Sequence, residues 1–357
     1  MKKSNTKLIA LIIVFALLIT GVSSVFAIDR MSLAYNLENS NSKSIYGFYR
    51  EKRDSLDGIY LGSSAANRFW IPPRAFENEG ICIYNLGTTC QPFVVTRNLI
   101  KEALSSQPNM DVIIVEVRCL TRNPQAIEKE RFTQISDVMR YSSNRKEMID
   151  NYIDYCDGIY ADVDLGPMDY YLPLLRGKGK WLIGYDLSIL DRLYGDSGKI
   201  LFKGYFENYD IAPQDPPEIV LEQKQIDSTL EGILDETLEY CKTLDQEVIF
   251  VSGPLKSVNG HEPEINYVLN KCREAGFNTL DFNSQPLRDE LNIDWGSHFY
   301  NNKHLNTFGA AHFTDYMSKY LAEEYDLEDH RGDESYSSWQ SSADKLEDRM
   351  AEHRNTY

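Results

Sequence analysis

Apolar runs alternate with amphipathic segments along most of the chain, starting near residue 56. Short runs rich in valine, isoleucine and tyrosine predict β-strands, and an uninterrupted run is typical of a strand buried on both faces of a parallel sheet. The third of these runs, DVIIVEVRCL, gives the strongest strand signal. The predicted strands are residues 56–61, 80–86, 111–120, 247–251 and 278–282.

Apolar residues at helical spacing predict helices between and after these strands. The predicted helices are residues 91–106, 218–244, 263–274 and 307–324. Alternating strands and helices connect through right-handed crossovers, which place helices on both faces of a parallel sheet. The pattern therefore predicts an α/β fold with a parallel sheet between two helical layers.

Two stretches depart from this pattern. Residues 121–217 are irregular and rich in tyrosine, proline and glycine, and we interpret them as a largely helical insertion with long loops. Beyond residue 324 the chain turns acidic and serine-rich. This composition predicts a solvated acidic tail over residues 325–357, partly helical near residues 341–353. The α/β domain would then span residues 29–324.

Residues 1–28 have the character of a targeting segment. Three lysines precede an apolar run over residues 8–19, and small or apolar residues continue to residue 28. A basic flank before an apolar core is typical of a signal peptide, and Val-Phe-Ala at residues 25–27 fits a cleavage site. Residues 8–28 are also long enough to cross a ~30 Å hydrocarbon layer as an uncleaved anchor. Both alternatives predict an extracytoplasmic protein, either membrane-anchored or secreted.

Charge and cysteine usage exclude several functional classes. A net charge of −17 predicts repulsion of nucleic acid and of anionic lipid, because both bind through basic patches. The six cysteines form no CxxC pair, and we find no metal-ligand spacing or glycine-rich phosphate loop, so no metal and no cofactor are predicted. Disulfides are possible in an exported chain, but cysteines in apolar-periodic segments favour buried thiols.

Three polar segments fall at the carboxyl ends of predicted strands or before the last helix, where open parallel sheets bind ligands. Gly62-Ser63-Ser64 ends the first strand, and a hydroxyl there would lie near helix amides that can stabilise an oxyanion. Gly87 closes the second strand. His304 lies in a predicted polar loop, where an imidazole can act as a general base. The alternatives are an N-terminal helix cap, an ordinary turn and a surface histidine.

The order of these segments resembles the SGNH (GDSL-like) hydrolase superfamily, and in particular its exported branch of teichoic-acid D-alanylation and alginate-acetylation-type proteins. The resemblance covers roughly residues 54–120 and 247–322. It implies a three-layer α/β/α, flavodoxin-like (SGNH-type) sheet with Ser64 as nucleophile and His304 as catalytic histidine. It also implies oxyanion binding by Ser64 and Gly87, with Asn123 as a candidate third ligand.

The chain departs from the family pattern at the third member of the triad. The family places an aspartate three residues before the histidine, and here that residue is Asn301. An amide can orient the imidazole, but it cannot stabilise the imidazolium as a carboxylate does. Asp294 is the alternative carboxylate, provided that the loop before His304 folds back.

The resemblance implies a serine esterase or acyltransferase that acts on a cell-envelope glycan, such as a cell-surface polysaccharide or a teichoic-acid-like polymer. The alternative is a catalytically inactive SGNH-like binding or assembly protein, with Asn301 in place of the triad aspartate. Aromatic rings of the insertion can stack on sugars, although core packing is the favoured interpretation. These aromatic residues are Tyr152, Tyr155, Tyr160, Tyr170, Tyr171, Trp181 and Tyr185.

Overall fold

Five strands form one parallel sheet in the order β2-β1-β3-β4-β5. The computed structural model describes residues 2–121, 129–159, 167–173, 201–254 and 261–354. Every predicted strand is present, although most are shorter than the apolar run that indicated them. The strands are β1 Gly58–Leu61, β2 Ile83–Asn85, β3 Val112–Glu116, β4 Glu247–Ser252 and β5 Asn278–Asp281.

The strand order creates a topological switch point between β1 and β3. The connection after β1 leads to β2 on one side, whereas β3 continues the sheet on the other side. The loops that leave such neighbouring strands separate, and the crevice between them is the usual ligand site of a doubly wound sheet. Ser64 follows β1 directly and therefore lies at this crevice.

Helices cover both faces of the sheet, which confirms the predicted three-layer α/β/α architecture. Side chains alternate along β1, so that Ile59 and Leu61 join the hydrophobic core on one face and Tyr60 joins the core on the other. The first core is packed by α2 Ser40–Phe48, α5 Thr96–Ser106, α9 Ser228–Cys241 and α10 Glu262–Glu274. The second is packed by α3 Ser64–Phe69, α4 Pro72–Glu79, α11 Gln285–Leu291 and α12 Thr307–Tyr325.

Two predicted helices start later than their apolar patterns indicated: α5 begins at Thr96 instead of residue 91, and α9 shows the larger shift. The prediction was residues 218–244, but α9 begins at Ser228. Asp227 caps this helix, since its carboxylate accepts hydrogen bonds from the backbone amides of Thr229 and Leu230. A capping carboxylate at this position fixes where the helix begins, and residues 217–227 stay non-helical.

The described part of the insertion packs into both cores: its helices join the first, and Phe202, Tyr205 and Tyr209 join the second. Its helices are α6 Lys129–Ser136, α7 Ser143–Ile159 and α8 Pro167–Tyr171. The rings of Phe132 and Tyr152 stack with centroids 3.7 Å apart, and Tyr170 contacts both edge-on. Tyr152, Tyr155 and Tyr170 are buried and fill a core. Tyr171 is partly buried against the same core, and the remaining aromatic candidates Tyr160, Trp181 and Tyr185 lie outside the described residues.

The prediction of a solvated C-terminal tail is wrong. Helix α13 Ser337–Arg354 is longer than predicted and packs on the domain. Its buried face repeats at helical spacing through Trp339, Ala343, Leu346 and Met350, all at most 2% exposed. A few apolar residues are enough to bury one face of this helix because they lie on one stripe. The overall acidic composition of the segment does not reveal such a stripe.

A single N-terminal helix supplies the apolar segment expected of a membrane or secreted protein. Helix α1 Lys2–Asn36 includes the window Lys7–Ser24, which has a mean hydropathy of 2.3 and is 0% buried. The same helix continues into the domain, where Ala34 is fully buried. All six cysteines are free, and five of them are buried.

Candidate active site

A hydrogen bond joins Ser64 and His304, which lie 240 residues apart in the sequence. Ser64 Oγ lies 2.7 Å from His304 Nε2. The tight turn after β1 makes this possible, because Gly62 adopts φ +143 and a Cβ there would lie 2.7 Å from Glu116 Cβ. Only glycine fits such a conformation and such a close approach. The turn delivers Ser64 to the first position of α3.

The neighbouring Ser63 occupies the cap position of α3, but its side chain makes no capping hydrogen bond. Ser64 itself is half-buried and directs its hydroxyl to the imidazole. Helix capping therefore does not explain the Ser64 side chain.

His304 lies in a short β-hairpin rather than in the predicted polar loop. Strand β6 Phe299–Asn301 pairs antiparallel with β7 His304–Leu305, and the register places Asn301 opposite His304. Residues opposite each other in an antiparallel pair have adjacent side chains. His304 Nδ1 accordingly lies 3.1 Å from Asn301 Oδ1. Strands this short leave no periodic signal in a sequence.

The hydrogen bonds of Asn301 determine the tautomer of His304. The backbone N–H of Lys303 donates to Asn301 Oδ1 at 2.8 Å, which identifies this atom as the carbonyl oxygen. An acceptor at Oδ1 requires the proton of the neutral imidazole to sit on Nδ1. Nε2 then carries the lone pair and accepts from the Ser64 hydroxyl. This is the arrangement that a serine nucleophile and its general base require.

The electrostatic surroundings of His304 favour the neutral imidazole. Burial, followed by the positive charges of Arg118, Arg68 and Lys303, lowers the pKa of His304 to about 2. Among the described residues, no carboxylate raises the pKa of His304 in opposition. His304 is therefore neutral near pH 7, but an imidazolium formed during catalysis would be less stable here than beside an aspartate.

Arg118 connects the end of β3 with the hairpin. Its Nη1 donates to the carbonyl oxygen of Lys303 at 2.8 Å, and its guanidinium lies 5.4 Å from the centre of the Phe69 ring. Its backbone N–H donates to Glu116 Oε1 at 3.1 Å. Glu116 is fully buried, and burial raises its pKa to about 7 despite the charge of Arg118. Arg118 thus holds the hairpin tip beside α3.

Asp294, the alternative carboxylate, does not lie beside His304. Its carboxylate is exposed and accepts hydrogen bonds from the Gly296 amide and the Ser297 hydroxyl. These bonds lower its pKa, and they close the turn that precedes β6. Asn301 therefore occupies the position next to the Nδ1 atom of His304.

Gly87 lies beside the nucleophile helix, but its amide already has a partner. The Gly87 N–H donates to Asn85 Oδ1 at 3.1 Å, and Asn85 Nδ2 donates to the carbonyl oxygens of Ala66 and Trp70. A role for Gly87 in oxyanion binding would require its amide to leave Asn85. The Ser64 amide, by contrast, has no hydrogen-bond acceptor among the described residues. Asn123 lies outside the residues that the structure describes.

We expect Gly87→Ala to lower any ester hydrolysis that depends on Ser64 at least tenfold without unfolding the protein. A Cβ at residue 87 would lie 2.5 Å from Ala66 Cβ and 3.0 Å from the Asn67 amide nitrogen, so helix α3 and Ser64 must shift. Misplacement of about 1 Å can cost about 100-fold in rate. Initial rates on a chromogenic acetyl ester and thermal unfolding would be measured together. Gly232→Ala is the control, because a Cβ there meets nothing within 4 Å. Full activity in Gly87→Ala would contradict the close packing described here.

A second cluster of polar side chains lies near the amino end of β1. Ligand atoms of Asp57, Cys82 and His330 lie within 4.8 Å of one another, and all three residues are buried. His330 Nε2 lies 2.8 Å from one oxygen of the Asp57 carboxylate, and the Cys82 backbone N–H donates to the other at 2.6 Å. Both carboxylate oxygens therefore have protein partners, and the cluster fixes the C-terminal segment to β1.

Comparisons of the chain with models of known protein families, with curated proteins and with solved structures find no match. The resemblance to the SGNH superfamily therefore stays a prediction from the order of the sequence segments. The geometry around Ser64 is the basis for the functional proposal.

The sequence analysis missed the cationic residues of the site. Arg68 is on α3 four residues after Ser64, and its Nη1 donates to the carbonyl oxygen of Phe206 at 3.0 Å. Tyr300 stacks parallel to the His304 ring with centroids 5.4 Å apart. The spacing of Ser64 and Arg68 on one helix was a usable signal, because residues four apart share a helical face. No such signal marked Arg118, because it lies in the apolar segment that was predicted as the third strand.

Proposed function

We propose that the protein is an extracytoplasmic serine esterase or O-acyltransferase that acts on a cell-envelope polymer. The observation that supports this most is the continuous hydrogen-bonded series from the Ser64 hydroxyl through His304 to Asn301. In this series His304 is the tautomer whose Nε2 can accept the serine proton.

In the proposed reaction Ser64 Oγ attacks the ester carbonyl carbon while its proton moves to His304 Nε2. The Ser64 amide stabilises the negative oxygen of the tetrahedral intermediate. The intermediate collapses to an acyl-serine, and Nε2 returns the proton to the departing alcohol. Water or a polymer hydroxyl then attacks the acyl-serine and gives its proton to Nε2, which restores the Ser64 hydroxyl. The two acceptors correspond to hydrolysis and acyl transfer.

The charges around the site support an anionic substrate. Arg68, Arg118 and Lys303 all raise the positive potential at His304, although the chain as a whole carries −17. A local cationic cleft on an acidic protein attracts a negatively charged chain. A teichoic-acid-like polymer or an acidic polysaccharide has this character, and the N-terminal apolar helix supports contact with the cell envelope.

The second candidate is a binding or assembly protein that has lost catalysis. The low pKa of His304 favours it, because a base that resists protonation accepts the serine proton poorly. The cationic cleft would then hold the polymer without cleaving an ester. The two candidates make opposite predictions for the reactivity of Ser64.

We expect a fluorophosphonate to label the protein at Ser64 and at no other serine. The reagent forms a phosphonyl–oxygen bond and releases fluoride, and it reacts only with a serine whose hydroxyl is activated by a base. Labelling would be measured by intact mass and located by peptide mapping. His304→Ala should abolish labelling, whereas the control Ser55→Ala, which removes a hydroxyl that donates to the carbonyl oxygen of Lys52, should label fully. Absence of label on the folded wild-type protein would support the binding candidate instead.

A further inference from the structure

A groove of about 360 Å³ lies where helix α1 enters the domain. Arg30 and Leu33 of α1 form one wall, and Tyr46, Tyr49 and Arg50 at the end of α2 form another. Residues 137–141 close the groove. Ser64 and His304 are not among its lining residues.

The continuity of α1 sets the depth of this groove relative to a membrane. A helix rises about 1.5 Å per residue, so the apolar residues 8–28 span about 32 Å and fill a ~30 Å hydrocarbon layer. Arg30 and Leu33 then lie roughly 3 to 8 Å beyond residue 28. The polar headgroup layer on each side is about 5 to 8 Å thick. With α1 retained as an anchor, the groove opens at headgroup level.

Two arginines of the groove carry positive charge that is not neutralised within the described chain. Arg50 and Arg140 are exposed, and neither guanidinium makes a hydrogen bond or ion pair with a described residue. Arg140 lies 4.4 Å from the centre of the Tyr49 ring, which holds it at the groove. Asp137 is the acidic member of the lining, and it accepts a long hydrogen bond of 3.4 Å from Asn36.

Exposed aromatic surface accompanies these charges. The Tyr141 side chain is 58% exposed, which is unusual for a large ring outside the apolar span. Tyrosine is enriched where a protein meets lipid headgroups, because its ring is apolar and its hydroxyl is polar. Arginine forms paired hydrogen bonds to phosphate oxygens. Phosphate-binding cations beside an interfacial ring match the chemistry of a phospholipid headgroup.

We propose that this groove binds the phosphate headgroup of an anionic phospholipid in the leaflet that faces the domain. Arg50 and Arg140 contact the phosphate, and Tyr141 lies among the headgroups. The net charge of −17 predicted repulsion of anionic lipid. Repulsion between distant charges weakens over about 8 to 10 Å at physiological salt, so the two arginines at the contact decide the local interaction.

The test uses the full-length protein in a non-ionic detergent and titrates short-chain phosphatidylglycerol against short-chain phosphatidylcholine. Binding is followed by the rise in unfolding temperature. We expect phosphatidylglycerol to bind at least tenfold more tightly. Each arginine near an anionic surface contributes about fivefold, so Arg50→Gln combined with Arg140→Gln should weaken phosphatidylglycerol binding about 30-fold.

Three controls make the outcome decisive. Arg53→Gln removes an arginine whose side chain is 67% exposed and lies outside the groove lining, and it should keep the lipid preference. Replacing both Arg50 and Arg140 by lysine should also keep the lipid preference. Loss of the preference in both the glutamine and the lysine double variants would indicate misfolding, and a lowered unfolding temperature without lipid would reveal it. Equal affinity for the two lipids, an unchanged preference in the folded glutamine variant, or equally tight binding of free glycerol phosphate would overturn the proposal.

Discussion

Replacing Ser64 by alanine is expected to lower esterase kcat by at least about 10⁴-fold, because the acyl-serine can no longer form. The remaining rate would come from the oxyanion donor and substrate binding alone. The helix should stay folded, since the Ser64 side chain makes its hydrogen bond to His304 and caps no helix. Steady-state hydrolysis of a chromogenic acetyl ester by wild-type and variant protein gives the ratio.

The matched control for this experiment is Ser55→Ala. Ser55 precedes β1 and lies at the opposite edge of the sheet from Ser64. The Ser55→Ala variant should therefore have the same activity as the wild type. His304→Ala should lose as much activity as Ser64→Ala, and the double variant should lose no more, because residues that act as a unit are not additive. Wild-type activity in Ser64→Ala would eliminate Ser64 as nucleophile.

Replacing Asn301 by aspartate is expected to raise kcat at pH 7 at least tenfold. The Asn301 Oδ1 atom lies 3.1 Å from His304 Nδ1, so the variant places a carboxylate against the imidazole. A negative charge at this distance stabilises the imidazolium that forms as Ser64 loses its proton. The adjacent Asn302→Asp adds the same charge at an exposed turn residue and should change kcat little.

The Asn301→Asp variant should also differ from the wild type in the pH dependence of kcat/KM. A lowered folded-state pKa of about 2 keeps His304 neutral across the range from pH 4 to pH 8, so the wild type should show no decrease in kcat/KM toward acid in that range. A carboxylate at residue 301 raises the pKa of His304, and activity should then fall as the pH drops through the new value. If kcat/KM of the wild type decreased as the pH drops below 6 to 7, burial and the neighbouring cations would not lower the pKa of His304 as described.

Much of the fold could be predicted from the sequence, because each layer has its own hydrophobic period. Uninterrupted apolar runs marked all five strands of the sheet, and helical spacing marked α5, α9, α10 and α12. The placement of Ser64 at the crevice also followed, since the residue after β1 in a doubly wound sheet must lie at the carboxyl edge. These features depend on local pattern plus topology.

What could not be predicted depends on contacts between distant segments. The β6–β7 hairpin has too few residues for a period, and its register alone decides that Asn301 rather than Asp294 meets His304. The position of Arg118 at the site follows from its contacts with residues far away in the chain, such as the hydrogen bond to Lys303. The burial of Trp339 on α13 was hidden by the acidic composition around it.

The most direct test of the account is to trap the acyl group on Ser64. The protein would be mixed with an activated acetyl ester, quenched in acid within the first turnover, and analysed by intact mass and peptide mapping. The account predicts one acetyl group per chain, located on Ser64 and absent from the His304→Ala variant. An acetyl group on another residue, or turnover of the ester with no acylated protein under these conditions, would contradict the claim that the Ser64–His304 pair performs acyl chemistry.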